Sequence, residues 1–212
     1  MSDIILKNVS KEIKGKQVLN DISYIFKSGT IYGLKGRNGC GKTMLLRAIS
    51  GLIVTKGEIV IDGKKVGKDI EFPESIGIII ENMSLLPEHT AFENLKILSK
   101  IKKVANDDDI KKTLLAVGLE ADSKKKVKTF SLGMKQKLNI AQAIFESPDI
   151  LLLDEPTNAL DTETIKNIRN ILLKMKEQGK TIIIASHNDE DLNILADEII
   201  LIVDGSIRKE DI

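Results

Sequence analysis

The sequence predicts an α/β fold with a mainly parallel sheet and helices on both faces. Apolar segments of strand length recur along its 212 residues. Towards the C-terminus they alternate with helical patterns, which is typical of parallel strands joined by crossover helices. From Asn82 to Pro148 periodic helical segments dominate, so a helical unit is expected to be inserted into the sheet.

Five segments before residue 81 are expected to be strands, because their apolar residues alternate with polar ones or run without interruption. They are "DIILKNVS" (3–10), "QVLNDISYIF" (17–26), "TIYGL" (30–34), "GEIVIDGK" (57–64) and "IGIII" (76–80). The third runs into a glycine-rich loop, behind which a helix is expected from Lys42 to Ser50. An Asp-Gly pair in the fourth predicts a tight turn.

The rest of the chain is predicted to form helices and then alternating strands and helices. The helices are expected at Ala91–Lys103, Asp108–Val117, Leu132–Glu146, Thr162–Glu177 and Asp189–Ala196. Buried strands are expected at "DILLLDE" (149–155), "KTIIIASH" (180–187) and "EIILIVDG" (198–205).

Composition argues against several classes of function. The 32 basic and 31 acidic residues leave a net charge of +1, too little to gather nucleic acid, so no nucleic-acid partner is expected. The basic run at 124–128 is interpreted as a solvated loop. With Cys40 as the single cysteine, neither an intrachain disulfide nor a cysteine zinc site is possible. No apolar run could span a bilayer, so any membrane-spanning part must belong to another chain.

The glycine-rich stretch "GRNGCGKT" (Gly36–Thr43) matches the phosphate-loop pattern G-x-x-x-x-G-K-[ST], with a strand before it and a helix after it. Its glycines allow backbone N–H groups to wrap phosphate oxygens, while Lys42 reaches the β- and γ-phosphates and Thr43 ligates Mg²⁺. Cys40 is interpreted either as a small filler or as a thiol whose alkylation would block nucleotide. The predicted ATP-binding residues here are Gly36, Arg37, Asn38, Gly39, Cys40, Gly41, Lys42, Thr43 and Met44.

Acidic residues and a histidine follow two later strands. "ILLLDEP" (150–156) ends in Asp154, which can hold Mg²⁺ through water, and Glu155, which can polarise an attacking water. The alternative is an exposed acidic turn. His187 ends "IIIASH"; a lone histidine is often structural, but ligands bind at the carboxyl ends of parallel strands.

With these residues in hand, the chain resembles the nucleotide-binding subunit of ATP-binding-cassette (ABC) transporters over essentially its whole length. The motifs occur in the family's order: the phosphate loop, the loop after "IGIII", "FSLGM" (130–134) as the signature, "LLLDEP", "NALD" (158–161) and His187. The resemblance implies a P-loop ATPase with an N-terminal antiparallel β subdomain and an inserted helical subdomain. It implies one domain over 1–212, with 1–81 and 149–212 as the catalytic core and 82–148 as the helical part.

The resemblance also implies roles. Two subunits pack head to tail, so that Ser131, Leu132, Gly133 and Met134 of one cap the ATP on the phosphate loop of the other. Gly133 is then expected to be a glycine because a side chain would obstruct the phosphate. Glu155 resembles the catalytic base, His187 the sensor of the γ-phosphate, and the turn from Asn158 to Asp161 the link across the dimer. The second cassette is either a second copy or a paralogue.

Three departures from the family pattern carry information. Leu132 and Met134 replace the second Gly and the Gln of the L-S-G-G-Q signature, a form similar to that of bacitracin-resistance and lantibiotic-immunity exporters. Glu81 stands where Gln is usual, and could act as a metal ligand. Ile13 replaces an aromatic that stacks on adenine, so base selectivity is expected to be relaxed. Tyr24 and Tyr32 are interpreted as core residues of strands.

A transmembrane permease is the partner that the resemblance implies, with this chain at the inner face of the membrane. The groove for it is expected between Glu81 and about Lys103, where Met83, Leu85, Leu86 and Phe92 are either contacts or core. Export is favoured over import, because the chain ends soon after its last strand and many importer subunits of the family carry an appended regulatory domain there. Two alternatives stay open, a non-transport ABC ATPase that remodels a macromolecule and a module that senses ATP without hydrolysing it.

Overall fold

The computed structural model describes residues 3–80 and 85–208. Within them the strands are β1 (Ile4–Ile13), β2 (Lys16–Phe26), β3 (Ile31–Lys35), β4 (Lys56–Ile61), β5 (Lys64–Lys65), β6 (Ile76–Ile79), β7 (Ile150–Asp154), β8 (Thr181–Ala185), β9 (Glu198–Val203) and β10 (Ser206–Arg208). The α-helices are α1 (Lys42–Ile49), α2 (Ala91–Lys102), α3 (Asp107–Ala116), α4 (Leu132–Ile144), α5 (Thr162–Glu177) and α6 (Asp189–Leu195), and a 3₁₀ turn spans Val127–Thr129.

Two sheets organise the chain, as predicted. The larger has the order β10-β9-β3-β8-β7-β6 and is parallel except for β10, which pairs antiparallel with β9. Its central strand β3 is in register with both neighbours, since Gly33 pairs with Ile184 of β8 and Ile199 of β9. The smaller, antiparallel sheet has the order β2-β1-β4-β5 and forms the N-terminal β subdomain.

Three hairpins turn on a pair of residues with positive φ, the geometry of a type I′ turn. The pairs are Lys14-Gly15 (φ 50° and 78°), Asp62-Gly63 (51° and 77°) and Asp204-Gly205 (47° and 77°). Only the second was predicted from the sequence. As a result β1 runs further than expected, to Ile13, and β10 was missed.

Hydrophobic packing covers both faces of the larger sheet. Ile150 and Leu152 of β7 pack towards α1 and the β subdomain, whereas Leu151 and Leu153 pack towards the helical segments. This alternation explains why β7 is apolar at every position. Tyr32 is buried, and its ring contacts those of Tyr24 and Phe26, which agrees with the prediction that both tyrosines are core strand residues.

The inserted helices are capped locally and dock on the edge strand. Thr90 and Asn106 begin α2 and α3 with reciprocal side-chain and backbone hydrogen bonds. Where α4 packs against β6, a Cβ on Gly77 would lie 1.9 Å from the Ala143 carbonyl oxygen of α4. Glycine at 77 therefore sets how closely α4 approaches the sheet. In the described part of the chain, no helix is long and apolar enough to cross a membrane.

Candidate active site

The predicted chemical residues converge at the carboxyl ends of β3, β7 and β8, where three loops leave the sheet. β3 leads into the glycine-rich loop and α1. β7 ends at Asp154 and is followed by Glu155, and β8 is followed by Ser186 and His187. This edge is where open parallel sheets bind ligands.

Close approach to neighbouring backbone explains two of the loop glycines. Gly36 and Gly41 have φ values of 154° and 115°, and a Cβ would lie 2.4 Å from the Ile202 carbonyl and 2.7 Å from the Val18 carbonyl, respectively. Gly39 also has a positive φ, 77°, but no protein atom lies within 4 Å of a Cβ there. The loop is thus held by its neighbours at both ends and open in the middle.

Lys42 is the first residue of α1, and its side chain turns back to the start of this loop. Only 7% of the residue is exposed, and its Nζ donates hydrogen bonds to the carbonyls of Gly36 at 2.7 Å and Arg37 at 3.3 Å. The loop is also tied to the β9–β10 turn, because the Gly205 N–H donates to the Cys40 carbonyl at 2.9 Å. The ammonium group is therefore held against the loop by two backbone carbonyl oxygens.

Thr43 and Asp154 meet across the cleft between α1 and β7. The Thr43 hydroxyl donates to Asp154 Oδ2 at 2.6 Å. A hydroxyl and a carboxylate are hard oxygen ligands of the kind Mg²⁺ prefers, so these residues fit the ion. Among the described residues no group of three or more His, Cys, Asp or Glu side chains could hold a metal. Phosphate oxygens and water, which are the other usual ligands of this ion, would add to these two.

Glu155 and His187 are in direct contact, although 32 residues separate them. The Glu155 carboxylate accepts a hydrogen bond from the His187 N–H at 3.0 Å, and its Oε1 lies 2.8 Å from His187 Nδ1. The Glu155 N–H donates to the Ala185 carbonyl of β8 at 2.8 Å. Glu155 also has a φ of 49°, a left-handed conformation that is uncommon outside glycine and clusters at functional sites.

A cleft of about 360 Å³ joins these groups. The residues that line it are Val18, Asn38, Gly39, Gly41, Lys42, Thr43, Met44, Asp154 and Glu155. Cys40 and Arg37 instead line a separate cavity of about 600 Å³, together with His187 and the end of β9. Ile13, at the end of β1, is 39% exposed and does not line the cleft.

The signature residues begin α4 and do not line the cleft of their own chain. Ser131 caps the helix, since its hydroxyl oxygen accepts a hydrogen bond from the Met134 N–H at 3.2 Å. Leu132 is 72% exposed. A Cβ on Gly133 would lie 2.9 Å from the carbonyl oxygen of Ala159 in the same chain. This contact gives a reason for glycine at 133 that the sequence did not reveal.

The turn that contains Asn158 and Asp161 is bound to α4 on one side. Gln136 donates from Nε2 to the Pro156 carbonyl at 2.9 Å, and Lys137 Nζ lies 3.8 Å from Asp161. Asp161 caps α5, and hydrogen bonds from the Thr164 amide and hydroxyl lower its pKa below the ordinary value. Asn158, in the same turn, is exposed.

The same turn is bound to α6 on the other side by residues that the sequence analysis missed. Thr157 donates its hydroxyl hydrogen bond to Asp191, which also pairs with Arg169. A signal was present, because Asp191 lies four residues before Leu195, on the apolar face of α6. A carboxylate on such a face needs a buried partner.

Glu81 and Met83 lie outside the described residues, so their predicted roles are not addressed by the geometry. Of the other three groove candidates, Leu85 and Phe92 are partly buried against the helical core, and Leu86 is 38% exposed.

Comparison with known proteins agrees with this geometry. A family model described as "ABC transporter" matches residues 19–158. The chain is 62% identical over 191 residues to the uncharacterized ABC transporter ATP-binding protein YybJ of Bacillus subtilis (strain 168), covering 90% of this chain and 88% of the relative. It is 37% identical to the lantibiotic transport ATP-binding protein SrtF of Streptococcus pyogenes (97% and 89% covered). It is 39% identical to the bacitracin transport ATP-binding protein BcrA of Bacillus licheniformis (99% and 70% covered).

Solved structures are similar over the same length. The dimeric structure of MJ0796, described as a bacterial ABC transporter cassette, matches with a TM-score of 0.88 at 28% identity, covering 97% of both chains. A post-hydrolysis dimer of the same cassette, bound to ADP and Pi, matches with a TM-score of 0.85 at 27% identity, again covering 97% of both chains.

Proposed function

This chain belongs to the ABC transporter family, in which it is an ATP-binding subunit with ATPase activity, and we propose from this premise how its residues divide the work. The observation that carries the proposal is the meeting of Thr43 with Asp154 and of Glu155 with His187 beside the Lys42 loop. These pairs bring the groups needed to hold a triphosphate and to activate a water to one edge of the sheet.

We infer the following roles in the cleft. The loop amides and Lys42 bind the β- and γ-phosphates, and the exposed position of Gly39 lets a phosphate approach the backbone. Thr43 and Asp154 would hold Mg²⁺, which neutralises charge on the phosphates when bound. Glu155 acts as the general base, and His187 senses the γ-phosphate from its position against Glu155. Arg37 and Cys40 contribute through the backbone of the loop.

We propose that the site is completed by Ser131 to Met134 of a second copy of this chain. The support is that these residues do not line the cleft of their own chain, and that Leu132 is 72% exposed. The similar MJ0796 cassette is dimeric. Asn158 and Asp161 then meet the partner at the same surface.

We propose that the ATPase powers a separate transmembrane permease, and that the transporter exports a peptide antibiotic or a compound of that kind. The names of SrtF and BcrA, which refer to lantibiotic and bacitracin transport, support this cargo class. In the described residues no helix is long and apolar enough to cross a membrane. The helical part at 82–148 would receive it, which puts this chain at the cytoplasmic face of the membrane.

Turnover by a base variant tests the proposed roles. Glu155→Gln keeps the shape of the side chain but removes the base, so it should bind Mg·ATP with an affinity close to the wild type and hydrolyse it at least about 100-fold more slowly. Glu177→Gln, at an exposed carboxylate that ends α5, is the matched control and should hydrolyse ATP normally. Unchanged steady-state hydrolysis in Glu155→Gln would remove Glu155 as the base.

A further inference from the structure

Two contacts join the segment that contains Glu155 to the segment that contains His187, and the second of them is buried. The first contact is between Glu155, which lines the cleft, and His187, which lines the neighbouring cavity. Two residues after Glu155, the Thr157 hydroxyl donates to Asp191 Oδ2 at 2.5 Å, and Asp191 follows His187 by four residues. The same two segments are thus connected twice, once at the reacting edge and once within the protein.

The second contact is almost fully buried and fully paired. Asp191 is 1% exposed and Thr157 8% exposed. While Oδ2 of Asp191 accepts from Thr157, its Oδ1 accepts from Arg169 Nε at 3.0 Å and Nη2 at 2.5 Å. Every polar atom of the carboxylate therefore has a partner, which a buried charge requires.

Stability alone does not account for this arrangement. Burying a charged pair costs about as much desolvation as it returns in attraction, and apolar residues of similar volume often stabilise a protein as well or better. What such a group supplies is a fixed geometry, because a guanidinium that donates twice to Oδ1 and a hydroxyl that donates to Oδ2 together set the orientation of the carboxylate. The fixed elements here are the turn after Glu155 and the helix after His187.

We propose that Thr157, Asp191 and Arg169 are positioning residues for ATP hydrolysis. They hold the segment of the general base and the segment of the sensor histidine at one spacing, so that the two stay aligned when His187 exchanges its contact with Glu155 for a contact with nucleotide. The inference rests on the proposed roles of Glu155 and His187. Thr157, Asp191 and Arg169 are not among the residues that line the cleft.

The test compares Thr157→Val, which removes the hydroxyl at nearly constant volume, with Thr157→Ser, which keeps it. Both leave the Arg169–Asp191 pair intact, so folding is expected to survive. In the purified full chain, Thr157→Val should lower kcat about 10-fold with KM changed less than about 2-fold, because misplaced catalytic groups slow the chemical step more than binding. Thr157→Ser should restore kcat to within about 2-fold of wild type. Thr113→Val, which removes a threonine hydroxyl bond on α3, is the matched control.

A second readout does not depend on turnover. The chain has two histidines, His89 and His187, so their imidazole signals can be assigned and compared by NMR. Thr157→Val should shift the His187 signal and leave the His89 signal in place, and Thr157→Ser should leave both. Asp191→Asn should shift the His187 signal in the same way. The double variant of Asp191→Asn and Thr157→Val should have a kcat no lower than that of the slower single variant, because both substitutions break the same hydrogen bond.

Three results would overturn the proposal: wild-type kcat in Thr157→Val, equal slowing in the Val and Ser variants, or an unmoved His187 signal in Thr157→Val. A wild-type chain that bound ATP without hydrolysing it would instead contradict the proposed function. In that case the NMR comparison would still decide whether Thr157 positions His187.

Discussion

Gly133→Ala separates two explanations for the glycine of the signature. If glycine is required only to let a phosphate of the partner site approach, alanine should stabilise the unliganded monomer, because alanine is favoured over glycine in a helix by about 0.5–1 kcal/mol. If the contact within the chain matters, the new methyl group must be accommodated against the turn at 156–161.

The structure predicts the sign of the effect. A Cβ at 133 would lie 2.9 Å from the Ala159 carbonyl oxygen, roughly half an ångström closer than an ordinary carbon–oxygen contact of about 3.4 Å. Overpacking of this kind costs about 1–3 kcal/mol, which exceeds the helical gain. The net expectation is a loss of about 1 kcal/mol in the free energy of unfolding. For a chain of this size that is a fall in Tm of about 2–4 °C.

Urea denaturation of the purified monomer without nucleotide measures this effect directly. Leu132→Ala is the control, since it changes the preceding, exposed position without adding a contact. A Gly133→Ala monomer more stable than wild type would refute the reasoning from the Ala159 contact. The phosphate explanation would then stand alone.

Three further predictions concern the loop, the sheet edge and pH. Lys42→Ala should abolish ATP binding in calorimetry, and retained tight Mg·ATP binding would refute the phosphate-loop assignment. Gly77→Ala should lower the free energy of unfolding by about 3 kcal/mol or more, because its Cβ would lie 1.9 Å from the Ala143 carbonyl, and a loss below about 1 kcal/mol in urea denaturation would contradict that packing. A hydrogen bond from Lys180 holds the pKa of Asp149 below its ordinary value, so this carboxylate stabilises the fold above pH ~4 and loses that contribution as pH falls further. Asp149→Asn should therefore flatten the acid limb of the stability profile, and an identical limb would count against the pair.

Elements and motifs that are contiguous in sequence could be predicted well. The apolar run of β7 and the glycine loop before Lys42 each contain their own signal, and the structure has both in the expected strand and loop. The hairpin at Lys14-Gly15 was not predicted, because a lysine before glycine is not a distinctive turn signal, whereas the Asp-Gly pair at Asp62-Gly63 is one.

Contacts between distant segments were the part that sequence patterns could not supply. Glycine at 133 was attributed to the approach of a phosphate, because its neighbour Ala159 is 26 positions away and no periodicity connects the two residues. For the same reason His187 was predicted at the site without its contact to Glu155. Periodicity shows which face of an element is buried, but the fold decides which element it meets.

Light scattering after size exclusion of the Glu155→Gln protein, with and without Mg·ATP, tests the central claim most directly. The account predicts a monomer without nucleotide and a dimer with Mg·ATP, because the signature beginning at Ser131 of one copy caps the ATP on Lys42 of the other. Adding Lys42→Ala to the same chain should keep it monomeric in both conditions. A Glu155→Gln protein that binds Mg·ATP and yet remains monomeric at every concentration would contradict the proposal that two identical chains share the nucleotide.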